Sequence, residues 1–140
     1  MSIIESLKNY LATCPELSEK EININYLSQK PDSFAIDNVA KNPIVKRYIG
    51  GETIRQYCFL LAGRVVYDQD TKSNLAVSSF FEKFEKWIET QNKARIFPDL
   101  GAMNLIPIAI EVTKSGEILD TARTSARIQF ELRLLYKGQN

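Results

Sequence analysis

The chain predicts an α+β domain, a mostly antiparallel mixed sheet packed with two helices in the order α-β-β-β-β-α-β-β. Three observations carry this. From Thr124 to Tyr136 apolar and polar residues alternate, the period of a strand with one buried face. From Thr71 to Asn92 the apolar residues recur at helical spacing instead. Between them, "KRYIGGETIRQYCFLLAGR", Lys46 to Arg64, reads as a hairpin that enters a strand apolar on both faces, as expected of a central strand covered on both sides.

The elements follow in order. Ser2-Ile3-Ile4-Glu5 is a capping-box pattern with Ser2 at the N-cap. Ile3, Ile4, Leu7, Tyr10 and Leu11 then form one helical stripe, closed by Pro15. Glu21–Leu27 alternates Ile22, Ile24 and Tyr26 with polar residues, a half-buried strand. "QKPDS" is a turn. "SFAIDNV" is a short strand with Phe34 and Ile36 on one face, broken by Asn42-Pro43. The hairpin joins Ile44–Ile49 to Glu52–Gly63 through Gly50-Gly51, a two-residue connection suited to a primed turn. Asp70 is the expected N-cap of the second helix. On that helix Leu75, Val77, Phe80, Phe81, Phe84, Trp87, Ile88 and Gln91 share a face, and Glu82, Lys83, Glu85, Lys86 and Glu89 fill the other. The aromatic stripe is read as core, not as a ligand box. "IPIAIEV" is a strand whose Pro107 implies an edge or bulged position. "TKSGE" is read as a turn. In the last strand Ala126, Ile128, Phe130, Leu132, Leu134 and Tyr136 face one way, and Arg127, Gln129, Glu131 and Arg133 the other.

The bulk numbers limit the function. The 140 residues are the length of one domain, 1–140, with 44% hydrophobic and 25% charged residues. A net charge of +1 gives no field favouring nucleic acid or an anionic membrane. No segment has the roughly 20 apolar residues of a membrane helix, and the charged start lacks the form of a signal peptide. Cys14 and Cys58 are expected as reduced, buried thiols of a cytoplasmic protein. Histidine is absent, which removes Ser-His-Asp and Cys-His catalysis and histidine metal sites. The acidic pairs Asp68/Asp70 and Glu117/Asp120 and the trio Glu82/Glu85/Glu89 are read as turn, cap and surface residues rather than cation sites. Gly50-Gly51 lacks the Gly-Lys-Ser/Thr of a phosphate loop. No catalytic, cofactor or metal residue is assigned, and the chain is not expected to be an enzyme. Lys46, Arg47, Arg55 and Arg64 along the hairpin, with Arg123 and Arg127 near the last strand, are the candidate interface residues. Interleaved Glu52, Glu131 and Asp120 make them better suited to polar subunit contacts or plain solvation than to nucleic acid.

Lys46-Arg47-Tyr48, Arg55-Gln56-Tyr57 with Phe59, Phe81-Glu82-Lys83-Phe84 with Trp87, and Leu134-Leu135-Tyr136 occur in an order that resembles the small minor capsid proteins of long-tailed phages and prophages of Firmicutes. That family is similar to the tail terminator, or tail completion, proteins. The resemblance implies a tail-terminator-like fold and a virion assembly role. The protein would form a homo-oligomeric ring, a hexamer in the virion, on the head-proximal end of the tail tube. Its partners would be itself, the major tail tube protein and head-side connector proteins, with no cofactor, no membrane, and nucleic acid only as DNA passing through the ring. It would sit in the host cytoplasm during assembly and then in the virion. The hairpin and the loop Ser115–Ser125 are expected to face neighbours. The competing readings are a small prophage-encoded adaptor or head-tail connector, and a carboxylate-dependent enzyme acting on a small molecule.

Overall fold

The computed structural model describes residues 2–67, 71–121 and 125–138, with the backbone alone at 71–73 and 120. Helix α1 (Ile3–Leu11) leads to β1 (Glu21–Ile24), β2 (Ser33–Val39), β3 (Ile44–Arg47) and β4 (Thr53–Val66). Helix α2 (Thr71–Ala94) follows, then a short 3-10 turn (Gly101–Met103), β5 (Leu105–Thr121) and β6 (Ser125–Gly138). This is the α+β class and element order expected from the sequence. The expected cap Asp70 and the pair Asp68/Asp70 lie outside the described residues.

The six strands form one sheet in the order β1-β2-β4-β6-β5, with β3 pairing β4 off that path. Only β1 and β2 run parallel. Parallel neighbours ordinarily need a crossover of a dozen or more residues. Here residues 25–32 suffice, with Asn25 and Asp32 in left-handed conformations at φ 57° and 58° to reverse the chain sharply. Such residues tolerate that region better than most.

Both helices pack on one face of the sheet. Phe34 and Ile36 of β2, Phe59 and Leu61 of β4, and Ile128, Phe130, Leu132 and Leu134 of β6 form one buried cluster with Leu7 and Leu11 of α1 and Val77, Phe84 and Ile88 of α2. Phe130 lies at its centre, with ring centroids 4.7 Å from Phe84, 5.4 Å from Phe81 and 6.1 Å from Phe80. Tyr10 ties α1 to α2 through Trp87 at 5.3 Å, and its hydroxyl donates to the Ile96 carbonyl at 2.9 Å. The Ser2 hydroxyl accepts from the Glu5 N–H at 3.3 Å, so Ser2 is the N-cap of α1.

Four local expectations need correction. First, "TKSGE" is not a turn: β5 runs through it, absorbing the sequence in register shifts against β6. Gly116 is there for space. A Cβ on it would lie 2.6 Å from the Phe81 ring and 2.9 Å from that of Phe130. Second, the hairpin loop has three residues. Gly51 N–H donates to the Tyr48 carbonyl at 3.0 Å and Tyr48 N–H to the Glu52 carbonyl at 2.9 Å, while only Gly51 has positive φ, 90°. That is a turn followed by a left-handed glycine, and it places Ile49 at the tip. Third, Leu75 and Tyr26 are exposed rather than buried: Leu75 lies on the side of α2 away from Val77 and Phe84, with Glu82 and Lys86, and Tyr26 follows the end of β1. Fourth, β4 is central, but among the described residues no helix lies over its second face. Cys58 and Ala62 are buried there because they are small and flanked by β2 and β6.

Pro107 is borne out on both counts: β5 is an edge strand, and its register shifts between Pro107 and Ala109. The long edge is partly blocked by α2. The Asn92 carboxamide accepts from the Ile110 N–H at 2.9 Å and donates to the Ile110 carbonyl. It thereby occupies backbone groups that an added strand would need.

Candidate functional site

The open face of the sheet is read from the register. Its rows are Ser33, Arg64 and Arg127; Ala35, Ala62 and Gln129; Asp37, Leu60 and Glu131; and Val39, Cys58 and Arg133. Among the described residues no helix or strand lies over it, yet most of its side chains are half-buried by one another. Much of its charge is matched internally. Lys41 binds Glu131 at 2.5 Å, and Arg133 binds Glu111 at 2.7 Å while donating to the Gln56 carboxamide at 3.3 Å.

One row breaks this pattern. Arg64 and Arg127 are direct cross-strand partners, with Asp120 opposite Arg127 on β5. Like charges directly opposite destabilise a sheet. The Nε atom of each is shielded from solvent and has no hydrogen-bond partner among the described residues.

The expected interface set divides into two groups. Lys46 and Arg47 are exposed on β3, and Lys46 lies 5.1 Å over the Tyr48 ring. Arg55 is half-buried on β4, opposite Ile44 and Tyr136, which places it on the helix-bearing face. Arg64 and Arg127 sit on the other face, toward the far end of β4. Arg55 and Arg64 are nine positions apart along one strand, or roughly 30 Å at ~3.3 Å per residue. The hairpin is therefore not lined by Arg64. The odd spacing, which sends alternate side chains to opposite faces, was the sequence signal for it. Arg123 lies outside the described residues. The expected loop Ser115–Ser125 is strand as far as Thr121.

Residues that sequence reasoning passed over stand at the two ends of β4. At the hairpin, Ile49 is fully exposed, and Val45 and Tyr48 are each 46% exposed. A bulge at Val45 shifts β3 against β4 between Ile44 and Lys46. At the other end, an apolar groove of about 460 Å³ lies between the chain after α1 and the start of α2, floored by Phe34, Val65, Val77, Phe80 and Ile128. Its rim carries Glu16, Lys20 and Asp32. Lys20 and Asp32 are 3.7 Å apart.

Neither cysteine is activated. Burial pushes the Cys14 thiol up to about 11 and raises that of Cys58, so both are protonated thiols near neutral pH. Among the described residues no group of three or more cysteine, aspartate or glutamate side chains is placed to hold a metal ion, and no helix is long and apolar enough to cross a membrane. No family model and no curated protein sequence matches the chain.

Proposed function

We propose that this chain is a phage virion assembly protein of the tail-terminator kind. In this reading it is a non-enzymatic subunit of a homo-oligomeric ring that caps the head-proximal end of the tail tube and joins it to the head. The observation that carries the reading is the sheet face across β4 that no described helix or strand covers, where the Nε atoms of Arg64 and Arg127 are shielded and have no hydrogen-bond partner among the described residues. Shielded donors are costly unless satisfied, and a neighbouring subunit's acceptors would satisfy them. The fold supports the same reading, since two helices on one face of a sheet leave the other face free for subunit contact. So does the order of the motifs quoted above. The charged groups of the open face pair across the surface and do not converge on a deep pocket, which suits assembly better than catalysis.

Co-sedimentation with polymerised tail tubes tests the proposal. The expected result is binding that saturates at a fixed number of copies per tube, independent of tube length. Binding proportional to length would overturn the capping role. No binding to tubes, with binding to a head-side connector, would favour the adaptor reading.

A further inference from the structure

Resting on the ring reading, we infer that the ring contact is head-to-tail: the β3–β4 hairpin tip of one copy inserts Ile49 into the groove between the chain after α1 and the start of α2 of the next. The hairpin presents an isoleucine, fully exposed, at a turn position where Gly, Asn, Asp and Ser are the usual residues. Neither the turn nor the core of the chain uses that side chain. Val45 and Tyr48 widen the apolar tip.

The groove is the matching feature. Phe34, Val65, Val77, Phe80 and Ile128 floor it, and Val66 at its edge is 56% exposed. The charges are complementary. Lys46 and Arg47 flank the tip and are exposed, while Glu16 and Asp32 on the rim outnumber Lys20.

A single chain cannot close this contact on itself. The tip and the groove lie at opposite ends of β4, a strand spanning Thr53–Val66, so about 40 Å separates them at ~3.3 Å per residue. Two different patches joined head to tail generate a ring when the rotation closes and a filament when it does not.

The test is a pair of added cysteines, Ile49→Cys and Ala76→Cys, oxidised in the free protein and again in the presence of tail tubes. Ala76 lines the groove and is exposed, and the native thiols are buried. The expected result is a reducible ladder of dimers, trimers and higher species for the double variant, with neither single variant going beyond a dimer. A mixture of Ile49→Asp and Ala76→Arg proteins keeps one intact tip and one intact groove, so it should form heterodimers and nothing larger. No ladder with or without tubes, or a ladder from Ile49→Cys alone, overturns the inference. A ladder without tube capping would leave the contact standing and remove the terminator role. Tube capping without a ladder would do the reverse.

Discussion

The two faces of the sheet are built from the same strands and solve different problems. On the helix-bearing face, Phe59, Leu61, Phe130 and Leu132 are at most 1% exposed, and aromatic rings fill the space to α2. On the open face the same strands present Leu60, Arg64, Arg127, Gln129 and Glu131, half-buried by mutual shielding, with Glu131 paired to Lys41. The first face supplies stability through the removal of apolar surface from water. The second supplies little, since solvent-accessible ion pairs are worth about 0–1 kcal/mol. Substitutions on the two faces should therefore separate stability from assembly.

Phe130→Ala should have the largest effect, a loss of about 3–5 kcal/mol, read as a lower urea midpoint. It removes the ring that Phe80, Phe81 and Phe84 all touch. A near-neutral result would mean that α2 does not pack on β6. Next, Gly116→Ala should cost about 1–3 kcal/mol by overpacking, because the new methyl meets Phe81 and Phe130. Gly50→Ala meets nothing within 4 Å and should change stability by less than about 0.5 kcal/mol. Equal effects at the two glycines would restore the turn reading of "TKSGE".

Alkaline pH acts on both faces, since burial also raises the open-face Cys58 thiol, and the two largest shifts lie on the covered side. Burial raises Tyr10 from 10.0 to about 12 and Cys14 from 9.0 to about 11, so the folded chain keeps these protons longer than the unfolded one. Their contribution is complete below pH 9 and is lost as pH rises through 12. Urea midpoints measured from pH 8 to 12 should fall, and Tyr10→Phe should flatten the upper part of that fall. The smallest effect belongs to the open face. Arg127→Glu places an opposite charge beside Arg64 but a like charge opposite Asp120, so the two effects offset and monomer stability should change by less than about 0.5 kcal/mol, while tube binding is abolished. Unchanged tube binding would remove the arginine row from the interface.

The covered face was legible because its signals are periodic. Every second residue from Ala126 to Tyr136 is buried as the alternation requires, and Phe84 and Ile88 are buried as the helical stripe requires. What escaped the sequence was tertiary. Gly116 looks like a turn glycine locally, and only the Phe81 ring above it explains the missing side chain. Asn92 looks like a helix end, and only β5 beside it gives its carboxamide a backbone to bind. The candidate interface was half legible. Residue types chose the arginines, but strand parity, which splits Arg55 from Arg64, was needed to place them. Ile49 was hidden by the Gly50-Gly51 pair, which suggested a shorter loop than the bulged strand forms.

The most direct test is electron microscopy of tail tubes grown with and without the protein. The account predicts a ring of density at one end of each tube and uniform tube lengths, both lost with Arg127→Glu. Tubes of unaltered length with clean ends, in the presence of folded protein, would contradict it.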